Sequence, residues 1–507
     1  MGKNLDDMDL PQMLRRTAAR LPDKKALLVA GSPDQAVTFG ELDRHARRIA
    51  AGLAELGVTK GDRVAVMMPN IPHFAAAHYG ILSAGGVVVP LNTMLTPHEV
   101  TRILRDSGAK AVFVASPCED VVTEGAAAAG DVKVIRLADW DAWQKLDRAA
   151  PEIPLADDDL AVLSYTSGTT GEPKGAMLSH GNLFANLEQQ MAVPETVSEE
   201  DVLFLTLPLF HIYGLNVALG LLILNGASGV LLEKFEPVSS LQYIQENGVT
   251  VLFGAPPMYR AWLGTPGADQ YDLSKVRLAI SGAAALPGKV LDDFQSVFGV
   301  PIYEGYGLTE TSPTLTSTRM AKTPRADSVG LPLPGVEIRL IDESGNDVEL
   351  GDTGEVVARG PNVFQGYWER PDETEAAFID GWFRTGDVGV RDEEGNLFLV
   401  DRRRDLIIVS GFNVFPSEVE NALLKNPKIK EAAVVGVPHS YSGEAVKAFI
   451  VLADGADTDE DEILAEAQAW LARFKCPSEI EFVDNLPHLP TGKVLRRALR
   501  TESPAPA

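Results

Sequence analysis

Segments with the patterns of strands and helices alternate through the first half of the chain, and this alternation narrows the choice of fold more than any other feature. Residues 37–58, VTFGELDRHARRIAAGLAELGV, have the apolar spacing of one helix face and reach a glycine near their end. DRVAVMMPN, AKAVFVA and VKVIRL have the character of buried strands. Helices that separate consecutive strands predict a mostly parallel sheet covered on both faces. The first half is therefore predicted to be an α/β body.

The pattern changes after about Pro324, where short strands separated by turns indicate an antiparallel or barrel-like region. The turns are predicted at Gly335, Gly345, Gly351 and Gly354. Beyond the charged stretch DRRRD at 401–405, the strands LIIVSG, EAAVVGVP and KAFIVLA interleave with helices such as PSEVENALLKN. This last part has the size of a small domain.

The predicted fold class is α/β, because 507 residues exceed what a single hydrophobic core supports and the pattern divides them into parts. We expect a large N-terminal body of packed α/β sheets, a barrel-like β region and a small mobile α+β C-terminal domain. The predicted boundaries are 1–402 for the large domain, with its β-rich part at about 325–402, and 403–500 for the small one. Residues 501–507 are predicted to be a disordered tail.

Charge and composition limit the partners. The net charge is −26, from 45 basic and 71 acidic side chains, so the protein should repel nucleic acid and anionic membranes. The longest apolar run, at 217–224, is far shorter than the roughly 20 residues of a spanning helix, and no transmembrane segment is predicted. Two cysteines give neither a disulfide framework nor a metal pattern, which fits the reducing cytoplasm. A homodimer is left open.

The stretch YTSGTTGEPKG at 165–175 is predicted to hold phosphate. Its glycines let backbone N–H groups converge on an anion, its hydroxyls add donors, and Lys174 adds positive charge. It differs from the Walker loop, since Glu172 and Pro173 separate Gly171 from the lysine and no Ser or Thr follows it. A flexible surface loop is the alternative. So dense a string of these residues favours a phosphate loop of another kind.

Seven further motifs follow this loop in order along the chain. They are PLFHIYG at 208–214, SGAAAL at 281–286, YGLTET at 306–311, TGEVVARGP at 353–361, GWFRTGDVG at 381–389, DRRRDLIIVSGFNVFPSEVE at 401–420 and LPTGKVLRR at 489–497. Together with the loop they resemble the adenylate-forming superfamily, which comprises acyl-CoA synthetases, nonribosomal-peptide adenylation domains and beetle luciferases. The resemblance runs nearly end to end and is nearest to fatty-acid–CoA and 4-coumarate–CoA ligases.

The resemblance implies that a carboxylic acid, ATP, Mg²⁺ and coenzyme A are the partners. It implies a nucleotide site in which Tyr306 lies against adenine, Thr309 donates to the α-phosphate and Glu310 holds Mg²⁺. The implied ATP- or AMP-binding residues are Thr166, Ser167, Gly168, Thr169, Thr170, Gly171, Lys174, Gly282, Ala283, Ala284, Glu304, Gly305, Tyr306, Gly307, Asp387 and Arg402. For Asp387 a turn-forming role and for Arg402 a surface charge are the alternatives.

The resemblance also implies an acyl pocket, a CoA contact and a moving domain. The implied acyl-pocket residues are His211, Tyr213, Met258 and Gly282, with core packing as the alternative. Lys234, Ser410 and Gly411 are implied for CoA, and Arg404 for the hinge. Lys493 would clamp the carboxylate and α-phosphate, so that Lys493, His211, Thr309 and Glu310 are the implied catalytic residues. Lys493 reaches the site only if the small domain folds over the large one, and a swing must then present Gly411 to the thiol.

The acid is predicted from the stretch PLFHIYGLNVALGLLILNGASG at 208–229. It contains no acidic side chain to pair a substrate ammonium, which argues against amino acids. It contains no Arg or Lys, which argues against diacids that need a second cation. A medium- or long-chain fatty acid is therefore favoured, followed by an aryl acid such as a hydroxycinnamate.

A stand-alone acyl-CoA ligase is the favoured activity, and four alternatives are kept beside it. They are a luciferase-type oxygenase, an adenylating enzyme that loads a carrier protein, a silent acyl-AMP-binding regulator and a generic ATPase. The regulator should lack the clamp lysine, and Lys493 is present. An ATPase would release ADP, whereas a ligase of this kind releases AMP and pyrophosphate.

Overall fold

A computed structural model describes most of the chain. The described residues are 8–145, 149–150, 152–167, 173–284, 286, 288–321, 328–342, 344–402, 407–414, 416–453, 455–487 and 499. Predictions for the tail at 501–507 and for the boundary near 403 fall on or beside residues outside these ranges, and they stay predictions.

The described part of the N-terminal body contains fifteen strands. They are β1 Lys25–Val29, β2 Ser32–Thr38, β3 Arg63–Met67, β4 Val87–Pro90, β5 Ala111–Val114, β6 Lys133–Arg136, β7 Leu160–Ser167, β8 Pro173–Ser179, β9 Val202–Leu205, β10 Ser228–Leu231, β11 Val251–Gly254, β12 Leu278–Ser281, β13 Ile302–Gly307, β14 Thr314–Ser317 and β15 Leu331–Pro332. The barrel-like region has β16 Glu337–Ile341, β17 Gly354–Arg359, β18 Phe378–Ile379, β19 Trp382–Arg391 and β20 Leu397–Arg402. The C-terminal unit has β21 Ile407–Val409, β22 Phe412–Val414, β23 Ile429–His439, β24 Gly443–Leu452 and β25 Glu479–Phe482.

Helices separate most of these strands. They are α1 Leu10–Arg20, α2 Phe39–Glu55, α3 Pro72–Ser83, α4 Pro97–Ser107, α5 Glu119–Ala129, α6 Trp140–Gln144, α7 His180–Met191, α8 Leu221–Asn225, α9 Pro237–Glu246, α10 Pro256–Leu263, α11 Gly288–Phe298, α12 Pro371–Ala376, α13 Pro416–Leu423 and α14 Glu460–Ala467. A π-helical segment, Tyr213–Gly220, precedes α8. Within the described ranges, no helix is long and apolar enough to cross a membrane.

The body contains two large, mostly parallel sheets. One has the order β15-β14-β13-β12-β11-β9-β10-β1-β2 and the other β6-β5-β3-β4-β7-β8. Strands β1, β9, β10, β11, β12 and β13 pair in parallel, and antiparallel partners close the edges. Side chains of both sheets share one hydrophobic core with the helices between them, for example Val64, Leu203, Phe39 and Phe74. The predicted α/β class is confirmed.

Helix α2 shows how the local sequence fixes an element. Thr38 Oγ1 accepts the N–H of Glu41 at 3.2 Å, and Glu41 Oε2 accepts the N–H of Thr38 at 3.0 Å. This reciprocal pair satisfies two backbone donors that have no partner within the helix. Phe39, Leu42, Ala46, Ile49 and Leu53 form the buried face. The helix predicted over 37–58 is therefore present, with slightly shorter bounds.

The barrel-like region is antiparallel, in the order β16-β17-β19-β18 with β20 beside β19. Gly335, Gly345 and Gly351 have positive φ, as a turn that favours glycine requires. The turn predicted at Gly354 is wrong, because this residue begins β17 and pairs with Gly389 of β19. The C-terminal unit packs α13 and α14 on its own mixed sheet, around a separate core that includes Ile407, Val434 and Ile450.

Two buried histidines make the stability of the fold depend on pH. Burial lowers the pKa of His78 to about 3 and that of His180 to about 4. The unfolded chain therefore binds protons below pH ~6.5 that the folded chain excludes. Above this pH the two histidines do not lower the free energy of unfolding, and below it that free energy falls with pH. We expect a loss of about 2 kcal/mol for each histidine at pH 5.

The measurement is the urea midpoint of unfolding between pH 7.5 and pH 5. His78→Leu removes one titrating group and should flatten the decline, whatever its effect on stability at pH 7.5. Equal pH dependence in the wild type and the variant would show that His78 is not responsible.

Candidate active site

A cavity lies at the carboxyl ends of β12 and β13. Ligands of open α/β sheets bind at this edge, because loops that follow the strands open there. Its wall also includes residues of the π-helical segment, of β19 and of the C-terminal unit. We call it the first cavity.

Many residues implied by the sequence motifs line this cavity although they are far apart in the chain. Those are Thr166, His211, Tyr213, Gly282, Ala283, Gly305, Tyr306, Gly307, Thr309, Glu310, Asp387 and Gly411. The fold therefore brings together parts of the loop at 165–175, of four motifs and of the segment VSGFN at 409–413. The four motifs are PLFHIYG, SGAAAL, YGLTET and GWFRTGDVG.

Other implied residues lie elsewhere. Met258 is half-buried between two hydrophobic clusters and does not line the cavity, and Lys234 and Ser410 are exposed. Lys174 forms an ion pair with Glu373 at 3.0 Å. Ala284 and Glu304 are also absent from the cavity wall, and Glu304 Oε1 accepts the N–H of Leu286 at 3.2 Å.

Several implied residues cannot be placed. Gly168, Thr169, Thr170, Gly171, Arg404 and Lys493 lie outside the described residues, as do the side chains of Ser167 and Arg402. Their roles stay predictions.

Tyr306 and Asp387 form one side of the first cavity. The Tyr306 hydroxyl donates to Asp387 Oδ2 at 2.7 Å, and both side chains are buried. The contact joins β13 of the large sheet to β19 of the barrel-like region. An aromatic face beside a carboxylate suits a nucleoside, since the ring can stack on a base and a carboxylate can accept from ribose hydroxyls.

Close backbone packing shapes the turn that carries Thr309 and Glu310. A Cβ at Gly307 would lie 1.8 Å from the carbonyl oxygen of Pro313, so only glycine fits where β13 ends. Ala283 has φ of 69°, a left-handed conformation that costs a non-glycine residue about 1–2 kcal/mol. Such strain is concentrated at ligand sites. The strained residue, Ala283, lies in the segment that follows β12.

Glu310 is the candidate metal ligand. Its carboxylate is buried, and its Oε1 accepts the hydroxyl of Tyr367 at 2.8 Å. In the described part of the chain, no three His, Cys, Asp or Glu side chains are grouped to hold a metal. Mg²⁺ commonly takes one or two carboxylates and completes its shell with substrate phosphates and water. A single carboxylate in a cavity with nucleotide-binding features therefore fits Mg²⁺ that arrives with a nucleotide.

His211 faces both this cavity and a neighbouring one. Burial lowers the pKa of its imidazole to about 4, so it is neutral at pH 7. Its Nδ1 is 3.3 Å from the backbone nitrogen of Tyr213 and accepts that N–H. The proton of the neutral ring is then assigned to Nε2, which can donate to an oxygen of a ligand.

Sequence reasoning missed six polar residues of the cavity wall: Gln190, Ser281, Thr314, Ser317, Arg319 and Thr385. The guanidinium of Arg319 donates to Gln190 Oε1, and its Nε lies 3.4 Å from Ser317 Oγ. The argument against diacids considered cations only at 208–229, whereas Arg319 reaches the cavity wall from the short helical turn after β14. An arginine directly after the strand-like SPTLTST was the available signal.

A second cavity lies between the body and the C-terminal unit. It shares Thr166, His211, Ile212, Thr309 and Gly411 with the first cavity, so the two adjoin. Its wall also includes Phe412, whose ring stacks on Phe210 of the body with 6.3 Å between centroids.

An ion cluster joins the two units beside the second cavity. Lys475 Nζ lies 3.0 Å from Glu99 Oε1 on α4 and 2.9 Å from Glu418 Oε1 on α13. All three side chains are buried. Burial lowers the pKa of Lys475, but the two carboxylates outweigh burial and raise it. The lysine therefore stays charged and holds the C-terminal unit against α4.

Comparison with known proteins gives a consistent result. Residues 14–368 match the family model of the AMP-binding enzyme, and residues 418–493 match that of the AMP-binding enzyme C-terminal domain. The long-chain-fatty-acid–CoA ligase of Bacillus subtilis (strain 168) is 37% identical, over 98% of this chain and 95% of the relative. The feruloyl-CoA synthase of an Amycolatopsis species is 38% identical, over 96% of this chain and 97% of the relative. A Bacillus subtilis o-succinylbenzoate CoA synthetase, bound with its product analogue, superposes with a TM-score of 0.87 at 32% identity, over 98% and 99% of the two chains.

Proposed function

The chain belongs to the AMP-binding enzyme family and is an AMP-forming acid–thiol ligase; from this premise we propose that it joins a carboxylic acid to coenzyme A in two steps within the adjoining cavities. One observation supports this most strongly. A single cavity wall carries Tyr306 and Asp387, which the motifs imply for the nucleotide, and His211 and Tyr213, which they imply for the acid. Both reactants of an adenylation step would therefore lie in one cavity, where their mutual orientation favours reaction.

In the first step a carboxylate oxygen of the acid bonds to the α-phosphorus of ATP, and the bond to the bridging oxygen of the β-phosphate breaks. Pyrophosphate leaves with that electron pair. Tyr306 and Asp387 hold the adenosine, and Thr309 donates to the α-phosphate. Glu310 would hold Mg²⁺, which when bound would neutralise phosphate charge. Lys493 is the cation that we assign to the clamp between carboxylate and α-phosphate.

In the second step the thiol of coenzyme A attacks the acyl carbon, the acyl–phosphate bond breaks, and AMP leaves while the thiol proton passes to solvent. The second cavity offers the thiol a route past Gly411 and Phe412 to His211. The neutral His211 donates from Nε2 to the acyl oxygen as charge develops there. Lys234 and Ser410, which are exposed, stay candidates for CoA contacts nearer the surface.

The acid is proposed from the character of the cavity wall. An alkyl chain would cover Gln190, Ser281 and Arg319 without offering them a hydrogen-bond partner, which is unfavourable in a buried site. An aryl acid with polar substituents can satisfy them, so we propose an aryl acid ahead of the fatty acid that the sequence favoured. A medium- or long-chain fatty acid is the second candidate, supported by the name of the 37% identical Bacillus relative.

The test is pyrophosphate release over a panel of fatty, aryl, amino and dicarboxylic acids, with and without coenzyme A. We expect release with carboxylic acids, accumulation of AMP only in turnover with coenzyme A, and no ADP. Dominant activity on amino acids, or ADP as the product, would contradict the proposal.

A further inference from the structure

Arg319 is a buried cation without an anionic partner. Its side chain is 5% exposed, and its two described acceptors are a neutral amide oxygen, Gln190 Oε1, and a hydroxyl, Ser317 Oγ. No described carboxylate forms an ion pair with it. Its Nη1 carries two N–H donors for which the described protein provides no acceptor. A buried cation is normally paired, because removing it from water costs several kcal/mol.

The same cavity wall carries a second incomplete polar group. Ser281 is fully buried on the same cavity wall, and its Oγ has no hydrogen-bond partner. Tyr213, an implied acyl-pocket residue, interacts electrostatically with the guanidinium. Burial lowers the pKa of Arg319 to about 10, so it is still charged at pH 7. The incomplete groups therefore border the part of the cavity assigned to the acid.

The carboxylates of the cavity wall, Glu310 and Asp387, do not serve as the anionic partner of Arg319. Glu310 accepts from the hydroxyl of Tyr367 and Asp387 from that of Tyr306. Both belong to the nucleotide end of the cavity. The described residues therefore offer Arg319 no anion, and the group that complements a planar guanidinium and a hydroxyl is a planar oxyanion carried by a ligand.

We propose that Arg319, with Gln190 and Ser281, binds a second carboxylate carried by the acid substrate at the end remote from the carboxylate that is activated. The inference rests on the proposed ligase function and makes its substrate a dicarboxylic acid. Arg319 is then a specificity-determining residue. It touches the substrate far from the reacting carbon, so its contribution should be mainly to binding, seen in KM, with little change in kcat.

The experiment compares matched acids that differ by one carboxylate, 3-phenylpropanoate against 3-(4-carboxyphenyl)propanoate and hexanoate against adipate. Pyrophosphate release should be at least about 100-fold more efficient, in kcat/KM, for at least one diacid than for its partner. Arg319→Met should lower kcat/KM for that diacid by roughly 100-fold through KM, and leave the monoacid unchanged or improved. Arg359→Met, which removes an exposed arginine paired with Glu337, is the control and should change neither.

Thermal unfolding separates this role from a structural one. If the charge of Arg319 is paired only when a ligand is bound, Arg319→Met removes an unpaired buried charge from the ligand-free protein. Its unfolding midpoint should then be unchanged or higher. Addition of the diacid should raise the midpoint of the wild type and not that of the variant. If Arg319→Met does not fold, Arg319→Lys, which keeps the charge but loses the planar fork, should retain only part of the diacid preference.

The outcomes distinguish the two proposals. Activity with monoacids but no preference for any diacid, or equal loss on both acids in Arg319→Met, would overturn the inference and leave the ligase function intact. A lower unfolding midpoint with the diacid preference retained would also overturn it. Absence of pyrophosphate release with every acid would overturn the ligase function itself.

Discussion

Replacement of Lys493 by alanine should lower the rate of acyl-adenylate formation by roughly 10³-fold or more, because a cation between two anions acts where charge is concentrated. The same variant should form thioester from supplied acyl-adenylate at nearly the wild-type rate. The second step needs no clamp between carboxylate and phosphate, since the bond that the clamp favours already exists. Single-turnover assays of each half-reaction measure the two effects separately.

The control for Lys493→Ala is Lys428→Met in the same C-terminal unit. Lys428 lies 2.7 Å from Glu462 in an exposed ion pair, and exposed pairs of this kind contribute little. Its loss should change neither half-reaction. Equal loss of both half-reactions in Lys493→Ala would contradict the account in which the C-terminal unit adopts two arrangements.

Replacement of Lys475 by methionine should have the opposite effect. In the described arrangement Gly411 borders both cavities, and Lys475 holds the C-terminal unit in this position through Glu99 and Glu418. Without the lysine, two buried carboxylates are left with their main counter-ion removed, which costs about 3–5 kcal/mol. We expect thioester formation from supplied acyl-adenylate to fall by roughly 100-fold. Adenylate formation should fall much less.

Two further measurements define the role of Lys475. Glu99→Gln removes one carboxylate from the cluster and should partly restore thioester formation in Lys475→Met, because it relieves like-charge repulsion. Unfolding midpoints show whether each variant is folded. A folded Lys475→Met variant that loses adenylation as strongly as thioester formation would show that the cluster does not select between arrangements.

Much of the fold followed from local patterns. The capping box at Thr38 and Glu41 and the apolar face behind it are encoded within a few residues, so α2 was predictable. Gly354 was misassigned because a turn was predicted from the presence of a glycine alone. In the structure Gly354 pairs with a neighbouring strand of the sheet.

The candidate site was likewise predictable only in its local parts. Motifs whose residues are neighbours in the chain, such as YGLTET, lead to the cavity wall at Tyr306, Thr309 and Glu310. Contacts between segments that are distant in the chain could not be predicted from the sequence. Arg319 meets Gln190 across 129 residues, and Lys475 meets Glu99 across 376. Their partners are set by tertiary packing, which a window of sequence does not contain.

The central claim is that a carboxylate oxygen of the acid becomes bonded to the phosphorus of AMP. Turnover of an acid labelled with ¹⁸O in its carboxylate, with ATP and coenzyme A, tests it directly by mass spectrometry of the products. The account predicts one labelled oxygen in the phosphate of AMP and none in pyrophosphate. Unlabelled AMP, or label in pyrophosphate, would contradict it.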